Sequence, residues 1–112
     1  MTLESFPAPD AEQVTTFETD ELTAVCPFEF GGPDFYALTI RYIADEDVVE
    51  SKSLKQYLEE FRDVEISAEE LAATIHTDIA TTIEPERLYL RLEQQRRGGI
   101  EETVEMGANE LC

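Results

Sequence analysis

Lysine is nearly absent from this chain of 112 residues: it holds two, Lys52 and Lys55, among 8 basic and 26 acidic residues, for a formal net charge of -18. With a pI near 4.1, that excess excludes general binding to nucleic-acid phosphates or anionic membranes, because the field of the whole molecule repels polyanions. Long apolar runs are lacking too. No stretch approaches the roughly 20 residues needed to cross a bilayer, and the acidic start Met1-Thr2-Leu3-Glu4 has neither the basic nor the apolar region of a signal peptide, so a soluble, cytoplasmic protein is expected. Cysteine is scarce. Cys26 and Cys112 cannot make a disulfide framework, and no group of residues has the spacing of a metal site. Histidine occurs once, as His76.

What is present suffices for one modest core. An apolar share of 42 %, with six phenylalanines and four tyrosines, places the acidity on the surface and argues against disorder along the whole chain. A chain of this length folds as one unit, expected here as an irregular arm over residues 1–12, with Phe6 packing locally, followed by a single domain over 13–112. A surplus of carboxylates with so little lysine suits work in concentrated salt, where screening relieves self-repulsion; an ordinary acidic cytoplasmic protein is the competing reading.

Periodicity supplies the elements. Val14 to Cys26 reads as a strand interrupted near Asp20 and ended by Pro27. After the turn Gly31-Gly32-Pro33-Asp34, Phe35 to Ile43 forms a second strand with Tyr36, Leu38, Ile40 and Tyr42 on one face. Helical spacing of Leu54, Tyr57, Leu58 and Phe61 predicts a helix over Ser51–Arg62, with both lysines flanking its apolar stripe. A second helix starts at Ser67, which stands at capping-box spacing from Glu70, runs through Leu71, Ile75, Ile79 and Ile83, and stops at Glu84-Pro85. Leu88, Leu90 and Leu92 alternate with Arg87, Tyr89 and Arg91, and Gly98-Gly99 turns the chain into Ile100–Met106. The order is ββααββ, an α+β fold with a four-stranded antiparallel sheet carrying both helices on one face. Its exposed edges favour assembly of copies into a barrel, hence a homo-oligomer.

Two lysines three positions apart project from neighbouring parts of one helix face, where they could hold an anion or simply make a solvated face. The run around them, Glu50-Ser51-Lys52-Ser53-Leu54-Lys55 followed by Tyr57, resembles the signature of the NADPH-dependent 7-cyano-7-deazaguanine reductases. These are nitrile reductases of the tunnelling fold, related to GTP cyclohydrolase I. Further matching segments follow in the same order: Leu3-Glu4-Ser5-Phe6-Pro7, Leu22-Thr23-Ala24-Val25-Cys26-Pro27, Pro33-Asp34-Phe35 and Arg97-Gly98-Gly99-Ile100.

The resemblance implies that the thiolate of Cys26 adds to the nitrile of the deazapurine preQ0 while Asp34 handles the proton, and that hydrides from NADPH then give the aminomethyl product preQ1. A thiol attacks only as thiolate, and the developing nitrogen needs an acid within hydrogen-bond reach. Taken alone, Cys26 reads as a small buried hydrophobe and Asp34 as a turn residue. One residue more than the family has separates them here, and Gly31 and Gly32 would absorb it. Glu69 matches the glutamate that accepts the amino and ring N–H edge of the base, against its plainer role as a favourable charge at a helix N-terminus. Glu50 is a second substrate-binding candidate. Ser51, Lys52, Lys55, Arg97 and Gly98 match positions that contact the dinucleotide, with Arg96 beside them; local cations there offset the global negative field.

One position departs from the pattern. Ala68 stands where the reductases carry a histidine, and His76 lies eight residues further on, over two helical turns away, which suits a surface or interface residue. A related archaeal amidinotransferase, which modifies preQ0 already in tRNA, is the alternative within the family. A non-catalytic purine- or pterin-binding oligomer, in which Cys26 would be dispensable, is the alternative of another class.

Overall fold

A computed structural model describes residues 2–28 and 32–111, without the side chains of Arg97, Asn109 and Glu110. Its elements are β1 (Ser5–Pro7), β2 (Val14–Val25), β3 (Pro33–Ile43), β4 (Asp47–Val49), α1 (Ser51–Glu59), α2 (Ala68–Ile83), β5 (Arg87–Arg97), β6 (Ile100–Met106) and α3 (Ala108–Leu111). The main sheet is antiparallel in the order β2-β3-β5-β6, so the two hairpins read from the sequence join through β3 and β5.

Alternation does what the pattern predicts. Tyr36, Leu38, Ile40 and Tyr42 on β3 are buried, as are Leu22 and Ala24 on β2 and Leu88, Leu90 and Leu92 on β5. Leu38 faces Leu92, Ile40 faces Leu90 and Tyr42 faces Leu88 across the β3–β5 ladder, which gathers one apolar face. Onto it α2 lays Leu71, Ala72, Ile75, Ile79 and Ile83, all at or below 2 % exposure, while α1 adds Leu54 and Tyr57 beside β2. Each such large aliphatic side chain contributes about 1.5–3 kcal/mol of burial. The expected break near Asp20 is a register shift between Thr19 and Leu22.

Three boundaries differ from the periodic reading. The first twelve residues are not irregular throughout: β1 pairs antiparallel with β4, Ala8 N–H donates to the Glu46 carbonyl at 2.8 Å and Glu50 N–H to the Glu4 carbonyl at 3.0 Å. Leu3, 6 % exposed, does the packing expected of Phe6, which is 51 % exposed. Pro7 cost the expectation of a strand, yet at the end of a three-residue edge pair its missing N–H is harmless. β3 begins at Pro33, two residues early. Helix α1 ends at Glu59, because Phe61 and Arg62 turn to bond the carbonyls three residues back, at 3.2 Å each. Phe61 still reaches the core and stacks edge-on against Tyr57 with ring centroids 5.3 Å apart.

Candidate active site

The site is built at the end of the sheet where β2 stops. Cys26 continues the alternation of Leu22 and Ala24, and its N–H donates to the Gly32 carbonyl at 3.2 Å, which carries the β2–β3 ladder one step past the strand. Ala24 is the register partner of Asp34, so Cys26 and Asp34 sit at the same sheet end and on the same face. Asp34 is 5 % exposed, one of two buried polar residues among those described. Residues 29–31, including the Gly31 expected to absorb the extra loop residue, lie outside the described residues; Gly32 takes a φ of 77° that favours glycine.

Among the described residues, the outer edge of β2 is bridged at this end. Val25 N–H donates to the Val64 carbonyl at 2.9 Å, and Ile66 N–H donates to the Val25 carbonyl at 3.0 Å. This parallel bridge delivers the start of α2 beside Cys26. Ser67 caps α2 by accepting from Glu70 N–H at 3.2 Å, which leaves Glu69 in the first turn, free to face β6.

There it meets a partner that sequence reasoning did not single out. The carboxyl groups of Glu69 and Glu102 share a hydrogen bond, which holds Glu69 below the ordinary 4.5 and is the largest cause of a raised value at Glu102, followed by burial and the Glu69 charge. Two carboxyls can bond only when they hold one proton between them, and of the pair it is Glu102 whose affinity for a proton is raised. Between them and Asp34 lies Tyr36. Its hydroxyl is fully buried and has no hydrogen-bond partner among the described residues. Burial chiefly, then the charges of Asp34, Glu102, Cys26 and Glu69, push its phenol above the ordinary 10.0.

Leu22, Tyr36, Gln94 and Glu102 are successive register partners across all four strands, so one row of the core face ends in the site. Cys26, Phe28, Gln94, Gly98, Ile100 and Glu102 line an open concavity of about 900 Å³. Gly98 and Gly99 turn the hairpin at its rim with φ of 62° and 85°, the pair of positive values that a tight two-residue turn demands. Thus Cys26, Asp34, Glu69 and Gly98 are brought to one end, and Tyr36, Gln94 and Glu102 join them.

The remaining candidates lie elsewhere. Glu50 caps α1: its carboxylate accepts from Lys52 N–H at 2.9 Å and from Ser53 N–H at 2.7 Å, and these bonds hold it below the ordinary 4.5. From there to Cys26 the chain runs the length of α1 and its following turn, on the order of 20 Å. Within one chain the Glu50 carboxylate is occupied at the start of α1, away from Cys26 along the chain. Ser51 and Lys55 line a second groove, about 330 Å³, between α1 and the bulged part of β2. Its floor is Phe17, Leu22, Leu38, Ile40, Leu54 and Leu58, and Arg62 adds a cation that the sequence reading passed over. Lys52 is exposed outside the groove. Lys52, Lys55 and Arg62 make no ion pair among the described residues, whereas Arg96 bonds Glu101 at 3.0 Å on the surface. The side chain of Arg97 lies outside the described residues. His76 is half-buried on α2, seven residues or about 10 Å along the helix from Glu69. Ala68 is buried at 4 %.

Comparison with known proteins identifies the family and the fold. Residues 33–111 match the QueF-like protein family. A protein of Pelodictyon phaeoclathratiforme named NADPH-dependent 7-cyano-7-deazaguanine reductase is 42 % identical over 96 residues, covering 86 % of this chain and 82 % of its own. A protein of the same name from Thermomicrobium roseum is 41 % identical over 98 residues, covering 88 % and 76 %. In three dimensions the apo crystal structure of the archaeosine synthase QueF-Like superposes with a TM-score of 0.78 at 21 % identity over 88 % of this chain and 93 % of that one, which establishes the tunnelling fold. No helix among the described residues is long and apolar enough to cross a membrane. With matches of this extent, the chain belongs to the QueF-like family of NADPH-dependent 7-cyano-7-deazaguanine reductases.

Proposed function

We propose that the protein reduces the nitrile of 7-cyano-7-deazaguanine (preQ0) to an aminomethyl group (preQ1) through a thioimide on Cys26, at the expense of NADPH. The observation that carries this reading is the occurrence of Cys26, buried Asp34 and Glu69 at one sheet end, brought there by the β2–β3 register and the Val25–Glu65 bridge. In the first step the Cys26 sulfur bonds the nitrile carbon and one C–N π bond breaks. Its electron pair goes to nitrogen, which takes the thiol proton by way of the Asp34 carboxyl. The adduct therefore weighs as much as protein plus ligand. Asp34, excluded from water, keeps that proton from exchanging during transfer. Glu69 accepts the amino and ring N–H donors of the base, which fixes the nitrile towards the sulfur.

The groove between α1 and β2 fits a dinucleotide: Ser51, Lys55 and Arg62 can hold its phosphates, Lys52 stands just outside, and the apolar floor suits a base. Gly98, on the rim of the Cys26 concavity, and Arg97 beside it extend the same role towards the reacting carbon. When bound, NADPH supplies hydride; two hydrides and two protons convert the nitrile carbon to CH2NH2 and restore the thiol.

Phe28 and Ile100, 69 % and 72 % exposed at the mouth of the concavity, and the open edge of β6 favour closure of the site by another copy in a barrel-like homo-oligomer. We place the work in the cytoplasm, on the route to the modified tRNA base queuosine, in a salt-rich cell whose ions screen the charge of -18.

The test mixes the purified protein with preQ0 and NADPH in high salt and follows nicotinamide absorbance. Two NADPH consumed per preQ1 formed is expected. One observation favours a second reading: Ala68 leaves no imidazole beside Glu69. If the adduct forms without NADPH oxidation, and ammonia or glutamine instead converts preQ0 in tRNA, the protein is the amidinotransferase.

A further inference from the structure

The proton shared by Glu69 and Glu102 gives this site a function that the base-anchoring glutamate alone lacks. A guanine-like edge presents two donors, the amino and ring N–H groups, and one acceptor, the ring carbonyl. An ionised carboxylate at Glu69 satisfies the donors and leaves the carbonyl without a partner. Among the described residues, the concavity that holds Cys26 contains no lysine, arginine or histidine to supply one. Its core-facing donors are the Gln94 amide and Glu102, and Glu102 is the one whose carboxyl interacts with Glu69.

We propose that Glu102 is a specificity-determining residue, which carries its proton into the ligand complex and donates it in a hydrogen bond to the ring carbonyl of a 6-oxo deazapurine while Glu69 accepts the N–H edge. Three observations carry the inference, which rests on the ligand class proposed above. Glu102 lines the same concavity as Cys26, its carboxyl interacts with that of Glu69, and the buried Tyr36 hydroxyl, which feels the charge of both, has no partner among the described residues. An unmade buried O–H bond is costly and points to an acceptor that arrives with the ligand. When a ligand parts the two carboxyls, Glu102 turns its O–H from Glu69 to the ring carbonyl. Its other oxygen then accepts from Tyr36, which stands on the same register row of the core face. The titratable groups facing Glu102 are Glu69 from α2 and Tyr36 from β3, with Asp34 and Cys26 beyond them. A raised affinity for protons at Glu102 agrees with this arrangement.

The position was readable from alternation: Val104 and Met106 pack against the core, and two-residue steps back along β6 place Glu102 on that same face. A carboxyl on the core-facing side of a strand, opposite the start of a helix that carries another, is a pattern a surface acid does not show.

The test measures the half-saturating concentration for covalent adduct formation, by intact mass, with 7-cyano-7-deazaguanine and with its analogue bearing an amino group in place of the ring carbonyl. Wild type is expected to prefer the oxo compound by about 10²-fold or more, since a site built to donate rejects a ligand that presents a donor. Glu102→Gln, whose amide N–H also donates, should keep most of that preference. Glu102→Ala should weaken oxo binding and narrow the ratio of the two ligands by about tenfold or more, the remainder being the ring N–H that Glu69 reads and the amino analogue lacks. An Ala variant that retains the wild-type ratio overturns the assignment of Glu102 even though adduct forms. Absence of adduct in wild type with either ligand overturns the underlying reaction as well.

Discussion

Two acidic side chains stand at the beginnings of the two helices and meet opposite fates. At α1, Glu50 spends its carboxylate on two backbone N–H groups, and the buried Ser53 beside it is equally occupied, accepting from Glu4 N–H at 2.9 Å and donating to the Glu50 carbonyl at 2.8 Å. At α2, capping is left to Ser67, so Glu69 turns outward to share a proton with Glu102, and the nearby buried hydroxyl of Tyr36 has no partner among the described residues. One end has its polar groups satisfied from within and holds β1, β4 and α1 together. The other keeps donors and acceptors in reserve, which is the mark of a surface that expects a ligand.

The largest difference should appear in ligand binding. Glu69→Gln replaces an acceptor facing two N–H donors with an amide that offers one acceptor oxygen, and the half-saturating concentration of preQ0 should rise about 10²-fold or more. Glu50→Gln should leave it within about twofold, and Glu50→Ala should lower the thermal midpoint without changing it, because the cap acts on α1 and not on the ligand. A large loss of preQ0 affinity in Glu50→Gln would erase the distinction between the two ends.

Stability should divide the two buried hydroxyls the other way. Ser53→Ala strands the Glu4 N–H and should cost about 1–3 kcal/mol in denaturant unfolding. Tyr36→Phe removes a hydroxyl with no hydrogen-bond partner among the described residues, so its cost should be near zero or reversed, while preQ0 binding weakens by about tenfold. Equal destabilisation by both would mean that Tyr36 is an ordinary core group.

Smallest, and sharpest in sign, is the pH dependence. Glu50 and Glu69 have lowered values, so their contribution is present above 4.5 and is lost as pH falls through the lowered folded values. Glu102 is raised, so its contribution is present below 4.5 and is lost as pH rises through the raised value. Glu102→Gln cannot titrate, and its thermal midpoint should fall less than that of wild type on going from 4.5 towards neutrality. A parallel fall in both proteins would deny that Glu102 holds the shared proton.

Most of the framework was legible because the core of this protein follows simple periods. Tyr36, Leu38, Ile40 and Tyr42 announced β3, and Leu71, Ile75, Ile79 and Ile83 announced α2. Leu3-Glu4-Ser5-Phe6-Pro7 did not announce β1, since three residues beginning an edge pair carry too little pattern and Pro7 speaks against a strand. Cys26, Asp34 and Glu69 could be named from the resemblance, yet what joins them is the Val25–Glu65 bridge, a contact between segments with no local signal. The capping role of Glu50 was not legible, because a glutamate before a helix looks alike whether it caps or binds. Glu102 was passed over because a protein with 26 acidic residues makes any one of them look like solvated surface. Tyr36 was credited to the core, correctly for its ring, while the fate of its hydroxyl depends on neighbours from four separate segments.

The most direct test of the central claim is the intact mass of the protein after exposure to preQ0 without reductant, for wild type and for Cys26→Ala. An increase equal to one preQ0 in wild type and none in the variant is the predicted result. The same increase in Cys26→Ala would contradict the assignment of this sheet end as the site of nitrile attack.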